Sequence, residues 1–558
     1  MQRFTAPNRR VVLAAMAAAF ADGILPLSTG AWAAEAQGQG ITASGPFDRS
    51  LVREIARTLA AKPYVAPSQQ LPDAIAKLTY DQYRAIYFRP EAALWANDKL
   101  AFTLQFFHRG FFFKDEINVA TVDGGQAHHV AYSPDMYAPG AVVPHPLPSQ
   151  DIGFAGLRIH GHINSPDRLD EIAVFQGASY FRSLGKGQAY GLSARGLALN
   201  VGSPQGEEFP IFRAFWVEKP PADSDQIVVH ALLDSKSVAG AYRFTIRPGL
   251  PTEMDVEATL FPRVDLTGVG LAPGTSMFYF DGNGRDGYDD WRPEVHDSDG
   301  LLMVNGRGER LWRPLANPKT LQFSAFVDTG VRGFGLMQRN RDYDSYQDYS
   351  ARYEKRPSLW VEPVGDWGKG SVVLIEIPSQ AEVNDNIVAY WQPSDPIAAR
   401  SEFPIAYRLS WGEGLVRPGV IVIATRRGRG DLEHPSPVRR FVIDYADTGL
   451  PLPPTDKQPA PVAAPAPAAP APGAPTPAAP GAPAPAAPAD PTSTLPKPTV
   501  TTSGGVISDV FIELNPESKG WRVSFNLDPK DKTLIELRAT LAFPDGRPVD
   551  IWLYRWTA

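Results

Sequence analysis

The spacing of apolar residues predicts two helices near the start of the folded chain. Four apolar residues recur on one helical face: Leu51, Val52, Ile55 and Leu59. Asp48 stands where it can cap this first helix. Pro72 suits the first turn of a second helix, because a missing N–H does no harm at that position. The apolar face of this second helix would carry Ile75, Leu78, Tyr83 and Ile86.

Further along the chain the apolar residues recur at every second position, which predicts strands with one solvent-exposed face. The clearest apolar faces carry Tyr242, Phe244 and Ile246; Met254, Val256, Ala258 and Leu260; Leu321, Phe323 and Ala325; and Trp521, Val523, Phe525 and Leu527. Gly, Pro, Asn and Asp interrupt such runs at short intervals. This pattern favours antiparallel sheets packed as sandwiches over alternating strand–helix units.

Residues 451–500 differ from the rest of the chain, because they contain 18 Pro and 15 Ala. Such a segment buries little and lacks backbone donors, which predicts an extended spacer or a disordered loop. The segment after it, 506–558, is small for a free-standing domain without disulfides. We therefore expect the spacer to interrupt one sandwich whose other strands lie in 400–447. A docking ligand for a proline-binding module is the alternative.

The first 33 residues have the order of a cleavable bacterial export signal. The arginines, the apolar run and the small-residue site are, in this order, Arg3, Arg9 and Arg10, then Val11–Phe20, then Ala31–Trp32–Ala33. An arginine pair followed directly by apolar residues is typical of a twin-arginine signal, with an ordinary secretory signal as the alternative. We therefore expect an exported protein located in the periplasm.

Charge and composition exclude several classes of protein. The 54 Lys and Arg residues against 61 Asp and Glu give a formal charge of -7. This balance argues against a general nucleic-acid binder, which needs a basic face. The absence of Cys excludes thiolate zinc sites, iron–sulfur clusters, thiol nucleophiles and disulfides.

Two familiar motifs fail on their context. Gly282–Gly287 formally matches a dinucleotide-binding loop, but the residues that follow offer no helix N-terminus to a phosphate. The same stretch half-matches a calcium loop, in which Arg285 would occupy a ligand position. His160 and His162 share one face of a predicted strand without a third zinc ligand nearby. We therefore expect no metal and no cofactor.

Carboxylates set among aromatic residues are the stronger signal. One acidic group lies within Asp281–Gly300, and a second contains Glu382 and Asp385 ahead of Tyr390 and Trp391. Sugars bind on aromatic faces, and glycoside hydrolysis needs one protonated and one ionised carboxyl group. The residues alone thus permit a carbohydrate site, with acidic turns on a solvated sheet edge as the alternative.

Several long blocks carry a family resemblance: 175–182 (FQGASYFR), 190–197 (YGLSARGL), 292–298 (RPEVHDS), 352–363 (RYEKRPSLWVEP), 384–391 (NDNIVAYW), Phe209–Pro210, Phe215–Trp216 and Trp552–Leu553–Tyr554. The sequence resembles the bacterial periplasmic glucan biosynthesis proteins G and D, which act on osmoregulated periplasmic glucans with a β-1,2-linked glucose backbone. The twin-arginine-like signal looks more like protein D. The resemblance covers essentially the whole chain after the signal, except the Pro/Ala-rich segment.

This resemblance implies a mainly β protein with two domains. A large N-terminal β-sandwich, similar to that of galactose mutarotase, is expected over 45–395. A smaller immunoglobulin-like β-sandwich is expected over 400–558. The Pro/Ala-rich segment departs from the typical family member and is expected to be an insertion or linker within the second domain.

The resemblance also implies the residues of a site. Asp385 resembles the general acid, and Asp297 the general base, of the inverting β-1,2-glucanases in the family. Inverting enzymes place their two carboxyl groups ~6.5–9.5 Å apart to leave room for a water. Glu382, Tyr353 and Arg356 are expected to support the two carboxyl groups. The expected sugar contacts are Tyr180, Trp216, Trp291 and Trp360.

The implied activity is inverting cleavage or transglycosylation of β-1,2-glucan, without metal or cofactor. Expected partners are the β-1,2-glucan polysaccharide, the membrane machinery of glucan synthesis and a second copy in a homodimer, but no nucleic acid. One alternative is a non-catalytic protein that binds glucan for assembly or modification of its backbone. A mutarotase-like enzyme is another, and it rests on fold analogy alone.

Overall fold

A computed structural model describes residues 41, 44–143, 146–414, 418–434, 436–449 and 495–558. The predicted export signal and most of the Pro/Ala-rich segment lie outside these residues. The protein is mainly β, as the sequence predicts. Its chain divides into two compact units between residues 416 and 417. The expected domain bounds stay a prediction, although the strand at 403–412 falls in the first unit.

The helices of the described residues are short. The α-helices are α1 (Leu51–Ala60), α2 (Asp73–Ala76), α3 (Tyr80–Arg84) and α4 (Tyr343–Tyr346), and the 3-10 helices are Pro90–Ala92, Pro134–Met136 and Tyr353–Lys355. The first predicted helix is confirmed as α1, which buries Val52 and Ala56. Its N-cap residue is Ser50, whose N–H donates to the Asp48 carboxylate over 2.7 Å.

The single second helix predicted from Pro72 onward is wrong, because two helices occupy its place. Thr79 starts a new helix by a reciprocal cap: its hydroxyl accepts the Gln82 N–H, and the Gln82 side chain accepts the Thr79 N–H. Ile86, predicted to lie on the helix face, instead begins a strand.

The strands of the first unit follow in chain order. They are β1 (Gly45–Pro46), β2 (Ile86–Phe88), β3 (Phe102–Phe107), β4 (Asn118–Asp123), β5 (Gln126–His129), β6 (Tyr137–Pro139), β7 (Gly156–Ser165), β8 (Arg168–Gln176), β9 (Tyr180–Ser183), β10 (Ser193–Arg195), β11 (Ala198–Leu199), β12 (Ile211–Glu218), β13 (Ile227–Asp234), β14 (Val238–Arg247), β15 (Thr252–Pro262), β16 (Val269–Ser276), β17 (Phe278–Phe280), β18 (Val295–His296), β19 (Gly300–Val304), β20 (Arg310–Pro314), β21 (Gln322–Thr329), β22 (Gly333–Met337), β23 (Ser358–Val364), β24 (Lys369–Glu376), β25 (Ile387–Pro393) and β26 (Phe403–Gly412).

Two large sheets build the first unit. Within it, the strand order of one is β1-β5-β4-β12-β13-β14-β15-β26-β23-β22-β19-β20, and that of the other is β21-β24-β25-β16-β10-β9-β8-β7-β3. Aromatic rings join the two sheets: the Phe175 ring of β8 lies 5.4 Å from that of Phe215 and 5.2 Å from that of Phe244. The unit is therefore a β-sandwich with an aromatic core.

The second unit carries the strands β27 (Val420–Arg429), β28 (Arg439–Asp447), β29 (Lys497–Thr502), β30 (Val506–Asn515), β31 (Gly520–Asp528), β32 (Leu534–Ala542) and β33 (Asp550–Thr557). One sheet has the order β27-β28-β31-β30, and β33-β32-β29 pair on the other side of the core. Trp552 packs 6.0 Å from both Phe441 and Phe525. The predicted strand around Trp521 is confirmed as β31.

The end of the Pro/Ala-rich segment requires a correction. Residues 497–500 belong to β29 rather than to a spacer that runs to residue 500. β-branched residues from Thr499 onward favour a strand. Pro498 is tolerated because β29 pairs on one side only, with β32.

The predicted strand at 321–325 forms as β21, but its apolar face is turned outward. Phe323 is 46% and Val327 is 84% exposed, whereas Ser324 is buried. β21 is the last strand of its sheet and pairs with β24. An alternating pattern thus located the strand but not the face that it buries.

Candidate active site

Asp297 lies at the end of a short two-stranded ribbon formed by β17 and β18. Phe278 pairs with His296 in this ribbon, and the Asp297 N–H donates to the Met277 carbonyl over 2.8 Å. The Asp297 side chain is buried, and its carboxylate accepts a hydrogen bond from the Arg356 guanidinium. The buried carboxylate is thus paired directly with a buried guanidinium.

Asp385 comes just before β25 and is tied to the same ribbon. The side chain of its neighbour Asn386 accepts the Phe278 N–H over 2.8 Å, and the Asn386 amide donates to the Ile377 carbonyl. The Asp297 N–H and the side chain of Asn386, the residue after Asp385, therefore bond to consecutive residues, Met277 and Phe278. The fold brings the two predicted carboxyl groups to one place.

The two carboxyl groups differ in their surroundings. The Asp385 side chain is 20% exposed, and its nearest cation is Arg182, whose Nη2 lies 3.8 Å from the carboxylate. Arg182 is buried and donates from Nε to the Ser193 hydroxyl over 2.6 Å. Asp385 thus keeps contact with solvent, whereas Asp297 is enclosed.

Arg356 is the cation at the centre of the site. Its guanidinium lies 4.1 Å from the centre of the Tyr353 ring and contacts Asp297. Burial lowers the pKa of Arg356 to about 9, and the charges of Glu382 and Asp385 oppose this shift. The guanidinium therefore stays charged at neutral pH.

Glu382 is held by two donors. Nη1 of Arg292 lies 2.6 Å from its carboxylate, and the Tyr353 hydroxyl donates to the same oxygen over 3.1 Å. Arg292 also pairs with Asp290 and Asp348. Burial, and then the Glu382 charge, raise the pKa of Tyr353 well above its usual value, so its hydroxyl keeps its proton.

A family model described as "Periplasmic glucan biosynthesis protein, MdoG" matches residues 47–469 and 483–556. This chain belongs to that family. A relative from Vibrio cholerae serotype O1, named glucans biosynthesis protein G, is 55% identical over 516 residues, which cover 92% of this chain and 87% of the relative. Another protein of that name, from Shewanella sp. strain W3-18-1, is 54% identical over 518 residues, which cover 92% and 88%.

The resemblance to this glucan biosynthesis family is thereby confirmed. The two relatives carry the name of protein G, whereas the similarity to protein D rests on the export signal. That signal lies outside the described residues, so the similarity to protein D stays a prediction. The gap between the two matched ranges, 470–482, lies within the Pro/Ala-rich segment.

In this member of the MdoG family, two of the four predicted sugar contacts lie at the site. Tyr180 is partly buried with Arg195 4.7 Å from its ring centre, and burial raises its pKa to about 12, with Asp385 acting in the same direction. Trp291 is 69% exposed beside Arg292. Tyr349, which the sequence did not single out as a sugar contact, is 77% exposed next to Asp348, the partner of Arg292.

The other two predicted contacts require correction, because both rings are buried. Trp216 is 1% exposed and packs in a core cluster with Val52 and Ala56 of α1. Trp360 is 2% exposed on β23, where its ring fills the space beside Gly333. Neither ring presents a face to a sugar.

Two arginine side chains, Arg182 and Arg292, are the part of the site that sequence reasoning missed. Arg182 and Arg292 both stood in the blocks that carry the family resemblance, but only the folded chain sets them beside Asp385 and Glu382. The described residues hold no group of three or more His, Cys, Asp or Glu side chains suited to a metal ion. In that same part of the chain, no helix has the length and apolarity needed to cross a membrane.

Proposed function

We propose that this protein acts in the periplasm on the β-1,2-linked backbone of osmoregulated glucans, by inverting cleavage or transglycosylation. The observation that carries the proposal is that Asp297 and Asn386, the neighbour of Asp385, bond to consecutive residues, Met277 and Phe278. The family name and the names of the relatives support the glucan and the periplasm.

Each carboxyl group has a distinct role in this proposal. Asp385 is the general acid, which protonates the glycosidic oxygen as the bond to the anomeric carbon breaks. Asp297, ionised beside Arg356, is the general base, which takes a proton from the attacking hydroxyl. The attacking hydroxyl belongs to water in hydrolysis and to a second sugar in transfer. After turnover the base returns its proton to solvent and the acid is reprotonated.

The surrounding residues orient these groups and the sugar. Arg356 holds the base, and Tyr353 and Arg292 hold Glu382 beside it. Tyr180 and Trp291 offer aromatic surface near the carboxyl groups. Because such donors are fixed before substrate arrives, little reorganisation remains to be done in the transition state.

Product analysis tests this function. The protein is incubated with linear β-1,2-glucan of defined length, and products are followed by mass spectrometry and by NMR of the first anomer formed. We expect new chain lengths with inverted anomeric configuration, and a rate lower by about 10²–10⁴-fold in Asp385→Asn and Asp297→Asn. Asp73→Asn, a surface substitution, is the control. Unchanged chain length with the wild type would refute the activity.

A second function is favoured by the ion pair of Asp297 with Arg356, because such a pair also satisfies a buried carboxylate in a purely structural way. In this reading the protein binds glucan and presents it to the membrane machinery of synthesis, as a monomer or a homodimer. Asp385→Asn separates the two functions in cells. Glucan output that is unaffected by this substitution favours binding over catalysis.

A further inference from the structure

Gln338 is a fully buried side chain whose polar atoms all have partners beside the site. Its Nε2 donates to the carbonyl of His296 over 3.1 Å and to the carbonyl of Tyr353 over 3.2 Å. Its backbone N–H donates to the Ser358 hydroxyl. One amide thus joins the segment before Asp297 to the segment before Arg356.

These contacts fix the protonation of His296. Nε2 of Gln338 faces two carbonyl oxygens, which fixes the orientation of the amide. The amide oxygen Oε1 therefore lies 2.9 Å from Nδ1 of His296 and must accept a hydrogen bond from it. Nδ1 therefore carries a proton. Nε2 of His296 faces a Glu294 carboxylate oxygen at 3.3 Å. With Glu294 ionised, the imidazole donates from both nitrogens and is a cation.

The surroundings of His296 agree with a charged ring. The ring is fully buried, stacked 5.5 Å from Phe278 and edge-on to Tyr346. The carboxyl groups that act on its charge are Glu294, Asp281 and Asp299. Burial alone would lower the pKa of His296, but the bond to Glu294 and these three charges outweigh it and raise the pKa.

We propose that His296 is a positioning residue that sets the candidate base, Asp297, against Tyr353 and Arg356 through the Gln338 amide. This inference rests on the proposed function of the site. His296 precedes Asp297 in the chain, and the Tyr353 carbonyl on the other side of the amide belongs to the turn that ends at Arg356. Loss of the Nδ1 donor frees Gln338 to turn, and the two segments then lose their common anchor.

The proposal gives the site a defined pH dependence. When the ring loses one proton at alkaline pH, the Glu294 carboxylate holds the remaining proton on Nε2, so the Nδ1 donor to Gln338 is lost. Burial and the Glu294 charge raise the pKa of Asp281 to about 7, so above that pH Asp281 adds its negative charge to the surroundings of the ring. We expect the turnover rate to fall as pH rises through the raised pKa of His296.

Two substitutions of His296 separate its two bonds. Asparagine places an amide N–H where Nδ1 stood, and glutamine places one where Nε2 stood. We expect His296→Gln to lower kcat by about tenfold or more with KM within about twofold, because a misplaced base slows chemistry rather than binding. His296→Asn is expected to keep kcat within about threefold at neutral pH and to lose the alkaline fall.

Glu294→Gln is a second variant that leaves His296 in place, and its side chain is 22% exposed. This substitution removes one negative charge from the surroundings of the His296 ring and so lowers the pKa of His296. The alkaline fall in kcat should therefore move to lower pH. Thermal unfolding of each variant reports its folded fraction. A purely structural role for His296 predicts no shift in the pH profile of Glu294→Gln.

The outcomes of this experiment are distinct. Equal losses in His296→Asn and His296→Gln, or losses that follow the folded fraction, overturn the positioning role. So does an unchanged kcat in His296→Gln while the wild type is active on linear β-1,2-glucan. A wild type without turnover overturns the proposed function and this inference together. A kcat loss confined to His296→Gln, with the pH shift in Glu294→Gln, supports the inference.

Discussion

Gly191 packs so closely against Arg356 that a Cβ atom on Gly191 would lie 2.8 Å from the Cβ of Arg356. The Arg356 side chain reaches Asp297 from this position, and the backbone nearby is fixed because the Ala189 N–H donates to the Lys355 carbonyl. A glycine at 191 is therefore a requirement of the site.

Gly191→Ala should displace Arg356 and lower kcat on β-1,2-glucan by about tenfold, because a small misplacement of a catalytic group is costly. The measurement is steady-state kinetics together with thermal unfolding. Gly45→Ala is the matched control, since a Cβ there meets nothing within 4 Å. Full activity of Gly191→Ala would show that Arg356 does not hold the base.

Arg292→Ala should destabilise the protein as well as the site. Arg292 is only 12% exposed and pairs with Asp290, Asp348 and Glu382, so its removal leaves three partly buried carboxylates without their cation. The expected loss in free energy of unfolding is about 3–5 kcal/mol. The measurement is urea denaturation.

Lys77→Ala is the control for Arg292→Ala, because its partner Asp73 is exposed and a surface ion pair contributes little to stability. Similar losses in the two variants would mean that Arg292 contributes no more than a surface ion pair.

Stability should fall as pH rises from about 4 to beyond 7. The folded-state pKa of Asp281, about 7, lies above its ordinary value of 3.8, so the folded protein binds more protons than the unfolded chain in this window. The pKa of His296 is raised too and acts in the same direction.

Asp281→Asn removes the first of these two titrations. The free energy of unfolding of the wild type should fall between pH 5 and pH 8. In Asp281→Asn this fall should be smaller by about 1–3 kcal/mol. Urea denaturation at the two pH values is the measurement. Parallel pH profiles for the two proteins would contradict the proposed origin of the effect.

Trp291 and Trp216 should behave oppositely on substitution. Trp291→Ala removes an exposed ring, and we expect glucan affinity to weaken by about five- to thirty-fold with unchanged stability. Trp216→Ala removes a buried ring and should cost about 3–5 kcal/mol of stability. Binding by calorimetry and unfolding by urea distinguish them. Weakened binding in a folded Trp216→Ala but not in Trp291→Ala would reverse this assignment.

Much of the fold could be predicted from the period-two pattern, because strands such as β14, β15 and β31 bury one face more deeply than the other. Helical spacing failed where a local interaction prevailed, because the Thr79 cap divides the single helix that was predicted there into two. The period-two pattern failed at β21, whose apolar residues face outward. Periodicity could not distinguish Trp216 from Trp291, since burial depends on what packs above each ring.

The candidate site residues were named through family resemblance, which included the carboxyl groups, Tyr353 and Arg356 but not Arg182, Arg292 or Gln338. Gln338 contacts His296 across 42 residues of sequence, and Arg292 contacts Asp348 across 56. No local pattern encodes such pairs. The role of Gln338 cannot be recognised from the residues next to it in the sequence.

The anchoring of Asp297 and of Asn386, next to Asp385, to the neighbouring residues Met277 and Phe278 has an evolutionary consequence. Because both segments are held at this one place, loops that join them along the chain are free to lengthen, shorten or change composition. Divergent members could thereby acquire new acceptors or product sizes while inheriting an unaltered pair of carboxyl groups.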